Sequence, residues 1–310
     1  MLEGLIEFFT AAFFAAAVRL ATPLVFTAIG GIFSERSGVV NIGLEGMMLT
    51  GAFAGVVGAF FTGNVWLGVL IAVAAGALMA LIHAFLSVTI RGDQIVSGVA
   101  INILALGLTT YSLRIIWGLQ DKPRVPGFAV WKIPLLGDIP FIGEVLFQHI
   151  PLVYLAVLLV PLAHFVLFRT SWGLSLRSVG EHPRAADTLG IGVLRTRYMC
   201  VMISGALAGL GGAFLSLGQL QTFLENMSAG RGFIALAALI FGKWMPARTM
   251  AACLLFGGAQ AAIVRIPALN YSVSPQLLSM FPYLLTLLMF VGLVGKTTPP
   301  AAIGKPYVKE

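Results

Sequence analysis

The sequence predicts an all-α, polytopic membrane bundle of about eight to ten helices, at roughly 20 apolar residues each. Three observations predict it. The mean hydropathy is +0.97. Of the 310 residues, 59% are hydrophobic and 10% charged, against roughly 25% charged in a soluble domain. The apolar residues also gather into runs of bilayer-crossing length. Residues 1–310 read as a single transmembrane domain.

In chain order the runs fall at about 5–33, 38–61, 65–90, 94–118, 150–168, 197–220, 232–247, 249–266 and 276–295. The opening "MLEGLIEFFT" carries Glu3 and Glu7 without an early basic residue. It lacks the pattern of a signal peptide, so the first run serves as its own insertion signal. The run "GFIALAALIFGKWMPA" at 232–247 is the weakest, with an apolar core nearer a dozen residues, and suits a short or re-entrant element.

Two long polar stretches separate the runs. The stretch at 119–149 is rich in Pro, Gly and aromatics and mixed in charge. The other, 169–197, holds Arg169, Arg177, Arg184, Arg195 and Arg197 against Glu181 and Asp187. Its arginine excess places it in the cytoplasm. Alternation then puts 119–149 and the N-terminus outside, and "SERS" at 34–37, "RGD" at 91–93, Lys296, Lys305 and Lys309 inside. This parity requires 232–247 to cross the membrane. The formal charge of +7 follows from the same loop bias. No basic patch interleaved with aromatics suggests nucleic acid.

Small residues mark the packing faces. Gly51 and Gly55 stand four apart, as do Gly205 and Gly209, with Gly212 next on that face, a spacing that lets helix backbones approach closely. "SGVVNIGLEGMMLTGAF" and "SAGRGFIALAALIFGKW" each put glycine and small residues before a short apolar helix, once per half. Interrupted helices in corresponding positions of two repeats point to a pathway inside the membrane.

Little in the chain supports catalysis. Phosphate-loop, zinc-protease and serine-hydrolase motifs are absent. Cys200 and Cys253 lie in apolar runs, and His83, His149, His164 and His182 show no metal spacing. No cofactor or metal is expected on this chain. The polar residues inside the apolar runs are the candidates instead. Asn41 and Glu45 share a helix face at i, i+4. An ionisable group there is functional by default. Glu45 either pairs with Arg36 or Arg114 or with backbone at a helix break, or lines a polar path, or carries a proton. Asn102, Gln219 and Gln221 are further pathway or packing candidates, because amides read hydroxyls and base edges well. Arg19 and Arg265 read as snorkelling side chains.

The basic stretch contains "LSLRSVGEHPRAADTLGIG". Pro183 suits a first helical position, Ala185 and Ala186 favour helix, and Gly190 suits a left-handed stop. A helix of two turns is too short to stand alone in water, so it either docks on a partner or lies on the membrane.

"SLRSVGEHPRAADTLGI" resembles the coupling segment of ATP-binding-cassette (ABC) importer permeases. Ala185, Ala186 and Gly190 match the Ala-Ala-x-x-x-Gly part of the motif, while Arg184 stands where that motif has Glu. Glu181 with Pro183 is similar to the Gly-Glu-x-Pro variant of permeases for branched-chain amino acids, simple sugars and nucleosides. "GIFSERSGVVNIGLEGMMLTGAF" at 31–53 and "GRGFIALAALIFGKWMP" at 230–246 resemble the nucleoside and simple-sugar branch.

The resemblance implies a non-catalytic permease subunit in the cell membrane, importing a small polar solute, with nucleosides favoured, by alternating access. It implies an ATPase subunit that hydrolyses ATP and binds the coupling loop through Arg177, Glu181, Pro183, Arg184, Ala185, Ala186 and Gly190. It further implies a second related permease chain, usually making a heterodimer, and an extracytoplasmic substrate-binding lipoprotein. The alternatives are a permease for simple sugars or another small metabolite, and an ion-coupled secondary carrier with Glu45 as its proton site. The cytoplasmic two-turn helix speaks against the carrier, which needs no ATPase dock.

Overall fold

The computed structural model describes residues 9–118, 124–268 and 298–309, with 274, 277, 280, 284, 286 and 287 between them. The predicted run at 276–295 therefore lies largely outside the described residues, as does Lys296. Among the described residues, seven helices are long and apolar enough to cross a membrane.

These are α1 (Ala11–Arg36), α2 (Leu44–Thr62), α3 (Val65–Ala84, continued by a π-helical turn Phe85–Thr89) and α4 (Gln94–Trp117). A two-residue hairpin follows, pairing Trp131–Lys132 (β1) with Gln148–His149 (β2) around the short α5 (Ile142–Leu146). Then come α6 (Pro151–Arg169), α7 (Ser171–Glu181), α8 (Pro183–Thr188) and α9 (Val193–Ala213, continued by a π-helical turn Phe214–Leu220). The short α10 (Arg231–Phe241) and the long α11 (Pro246–Ala268) complete the set.

Local chemistry sets several boundaries. Asn64 caps α3 by accepting from the Trp66 and Leu67 amides, and Asp93 caps α4 through those of Ile95 and Val96. Thr170 caps α7 by accepting from Gly173 N at 3.0 Å. That cap makes α7 a separate helix inside the stretch the sequence reading treats as loop.

The core is assembled by backbone-to-backbone packing of α2, α3 and α9. A methyl group on Gly51 would strike the Gly209 backbone, one on Gly76 the Gly205 carbonyl, and one on Gly212 the Met48 carbonyl. Between helices in lipid there is no hydrophobic drive, so such close contact supplies the attraction. α4 and much of α3 and α6 turn large side chains outward, Ile103, Leu70 and Leu158 among them.

The two ends of the bundle differ. One, here the basic end, gathers Arg36, Phe168, α7, α8, Trp244 and residues 298–309. The opposite end gathers the start of α1 and the 124–149 segment, where Phe14 meets Phe141.

The short helix α10 is about 16 Å long at 1.5 Å per residue, half of a roughly 30 Å hydrocarbon core. It does not cross alone. Gln221 sits at the opposite end, its carbonyl accepting from Val125 N at 3.1 Å. Glu225 meets Arg114 at the outer part of α4. The chain then descends through 226–230 to Gly230, where α10 starts, and Trp244 beyond α10 meets Arg36 at the basic end. Residues 221–241 thus run from one end of the bundle toward the other, half non-helical and half helical. A second interruption, 37–43, separates α1 from α2.

Candidate functional site

The two interruptions meet, and Glu45 stands at the meeting point. Its carboxylate accepts from Gly230 N at 2.8 Å and from Gly232 N at 2.6 Å. A helix start leaves its first amides without intrahelical partners and carries a partial positive charge. Glu45, in the first turn of α2, supplies that acceptor for α10. No side chain at 232 would leave room, because a Cβ there would lie 2.5 Å from the Glu45 backbone. The basic partners suggested by the sequence lie elsewhere. Arg36 donates to Trp244 O at 3.1 Å, and Arg114 pairs with Glu225 at 3.2 Å. The cation that does interact electrostatically with Glu45 is Arg231, itself bonded to the Met227 and Ser228 carbonyls.

The 37–43 interruption is held by side chains from three other helices. Asn102 Oδ1 accepts from Gly46 N at 2.8 Å, and its Nδ2 donates to Ile42 O at 3.1 Å. Gln94 Oε1 accepts from Val40 N at 2.8 Å. His83 Nε2 lies 3.0 Å from Val40 O and Nδ1 lies 2.9 Å from Ser97 Oγ. A carbonyl only accepts, so Nε2 carries the proton. Asn41 is fully buried and donates to Ser204 Oγ at 3.0 Å, while its own Oδ1 has no hydrogen-bond partner among the described residues. In lipid, irregular backbone persists only when its polar groups are satisfied like this. Asn41, Glu45 and Asn102 are therefore brought together around one feature.

Gln219 and Gln221 are not part of it. Pro23 lacks the amide that would bond Arg19 O within α1. Gln219 Nε2 approaches that carbonyl at 3.5 Å, the long end of the hydrogen-bonding range. Gln219, Arg19 and His149 line a separate cavity of about 590 Å³ at the opposite end. Gln221 adopts a left-handed conformation with φ of 54° where the π-helical turn ends.

At the basic end, Gly180 of α7 packs directly on the turn between α1 and the interruption. A Cβ there would overlap the Arg36 carbonyl and lie 3.4 Å from Gly38 N. Arg36 and Arg177 each lie over the Phe168 ring, at 5.1 and 5.0 Å. Glu181 accepts from Ala301 N at 3.1 Å. Pro183 occupies the first turn of α8, Ala186 is buried, and Gly190 has φ of 83°. Arg184, Ala185 and the tip residue Leu189, 81% accessible, face outward.

Sequence reasoning missed several residues. Glu35 is buried and accepts from Trp244 Nε1 at 2.5 Å. Gln94 and Arg231 carry no local signature, and His83, near a helix end, is fully buried. Glu35 sits inside the quoted "SERS", and its burial beside a carboxylate-binding tryptophan has no local signature. Among the described residues, no group of three or more His, Cys, Asp or Glu is placed to hold a metal ion.

Residues 13–291 match the family described as branched-chain amino acid transport system / permease component. The chain is 46% identical over 306 residues to the guanosine ABC transporter permease protein NupQ of Bacillus subtilis, covering 95% of each. It is 42% identical over 300 residues to the nucleoside ABC transporter permease protein NupC of Lactococcus lactis, covering 94% of each. It is 37% identical over 329 residues to TsgC13 of Haloferax volcanii, provisionally named a glucose ABC transporter permease protein, covering 97% of this chain and 99% of that one.

Proposed function

The chain belongs to the family of branched-chain amino acid transport system permease components, and on that premise we propose that it is the membrane subunit of an ATP-driven nucleoside importer. The observation that carries the substrate class is the end-to-end likeness, at 46% and 42% identity, to two permeases named for guanosine and nucleosides. The glucose-named relative at 37% favours a sugar as the second reading.

The arginine-rich end faces the cytoplasm in this reading, and α8 docks on a separate ATPase subunit. A second related permease chain and an extracytoplasmic binding protein complete the assembly. Arg184, Ala185 and Leu189 face outward, toward the ATPase in this reading. Movement of α7 and α8 has a short route inward. Gly180 touches the Arg36–Gly38 backbone with no side chain between, and that turn leads into the interruption ending at Glu45. Backbone against backbone leaves no rotamer to absorb a displacement, so the shift reaches the α2–α10 junction and reopens the pathway to the other side. Glu45 and Asn102 act here as the fixed points of the two interrupted crossings.

Uptake of labelled nucleosides and labelled glucose, in cells lacking and then regaining this chain, tests the proposal. Restored nucleoside uptake with unchanged glucose uptake is expected. Restored glucose uptake alone overturns the substrate class.

A further inference from the structure

The C-terminal segment 298–309 does not trail from the bundle. Ala302 N donates to Gly180 O at 2.9 Å and Gly304 N donates to Gly38 O at 3.1 Å. Arg197, buried in the first turns of α9, donates to Lys305 O at 3.0 Å. The Tyr307 ring is buried with Val179 of α7, Ala186 of α8 and Val193 of α9. Lys309 reaches Asp187 at 3.7 Å. These contacts tie α7, α8, α9 and the Gly38 turn to one strand of chain that lies more than 100 residues beyond the α8 motif.

The segment stops short of closing over α8. Between them lies a cavity of about 570 Å³, lined by Arg184 and Ala185 on one side and by Ala302, Pro306, Tyr307 and Val308 on the other. Its floor is apolar. Its rim carries two cations, Arg184 and Lys305, beside one carboxylate, Glu181, which accepts from Ala301 N, while the Lys305 ammonium holds the neutral Ala301 carbonyl at 2.8 Å. Val308 remains about half accessible at the mouth.

We infer that the ATPase-docking surface of this permease has two walls, α8 and the C-terminal segment, and that a segment of the ATPase subunit seats between them. The chemistry of the cavity fits an apolar side chain followed by a carboxylate: the first reaches the Ala302–Tyr307 floor and the second meets the Lys305 ammonium, on a rim whose two cations outnumber Glu181. The inference rests on the reading of α8 as the ATPase dock, and it adds a wall that the α8 motif does not contain. Because the same segment bonds Gly38, the occupant pushes on the α1–α2 interruption through a second route, parallel to Gly180.

Site-specific photo-cross-linking in membranes that also contain the ATPase subunit tests this. A photoreactive residue is placed at Val308, at Arg184 and, as a control on the opposite end, at Leu135, which is 87% accessible. A cross-link from 308 to the ATPase subunit, above the yield at 135, is expected together with one from 184. A cross-link from 184 with none from 308 overturns the second wall and leaves the α8 dock standing. No cross-link from either overturns both.

Discussion

The carboxylate of Glu45 and the amide of Gly232, 187 residues apart in sequence, are 2.6 Å apart in space, so two helices begin around one charge. Each helix start presents unpaired amides and a partial positive charge. Placed together in lipid they would repel and remain unsatisfied; the buried carboxylate offsets the like partial charges and accepts from the α10 amides, while Asn102 accepts from the Gly46 amide of α2. The glutamate inside an apolar run is thus accounted for by backbone before any role toward a solute is considered.

Glu45→Ala leaves the Gly230 and Gly232 amides without their acceptor. Buried unsatisfied groups cost about 1–3 kcal/mol, more where a charge was involved. Glu45→Gln keeps one acceptor oxygen and turns an NH2 toward the second amide, so it loses most of the same stabilisation. Both variants should lower the thermal midpoint of the detergent-solubilised protein, and the ratio of uptake rates among nucleosides should stay unchanged. A shifted ratio at unchanged stability would make Glu45 a substrate contact instead.

Gly51→Ala drives a methyl group into the Gly209 backbone. Overpacking of this kind costs about 1–3 kcal/mol. Gly107→Ala on α4 meets nothing within 4 Å and should be neutral or mildly stabilising, since alanine is the better helix former. Thermal unfolding of the two variants side by side checks the difference. Equal midpoints would contradict the close α2–α9 contact.

His149 offers a pH readout outside the membrane helices. Burial pushes its imidazole below the ordinary value, the Val145 carbonyl opposes this, and Arg19 adds to the lowering. The unfolded chain therefore takes up the proton first. Stability is full above about 6.5 and is lost as pH falls through that value toward the lower folded one. Wild-type protein should lose more thermal stability on acidification than His149→Gln. Parallel pH profiles for the two would remove His149 as a contributor.

Much of this arrangement is legible in sequence because lipid writes it plainly. Apolar runs mark the long helices, and a carboxylate or amide within a run is conspicuous, which is why Asn41, Glu45 and Asn102 stand out before any contact is known. What is hidden is the partner. The acceptor for Gly232 lies 187 residues away, and no periodicity links the two. Helix α7 is obscured because its polar composition resembles loop, and only the Thr170 cap separates it from α6. Glu35, Gln94 and His83 escape notice for one shared reason: each satisfies irregular backbone or a distant indole, a need that exists only after the interruptions have formed.

The most direct test of the account is nucleoside-stimulated ATP hydrolysis in vesicles where the chain is reconstituted with the ATPase subunit, second permease chain and binding protein proposed for it, compared between wild type and Leu189→Asp. Leu189 is 81% accessible at the tip of α8, so the substitution leaves the bundle intact. Stimulation in wild type, lost in the variant at equal membrane levels, is the predicted result. Undiminished stimulation in the Leu189→Asp protein would contradict the claim that α8 passes the ATPase's motion to the membrane pathway.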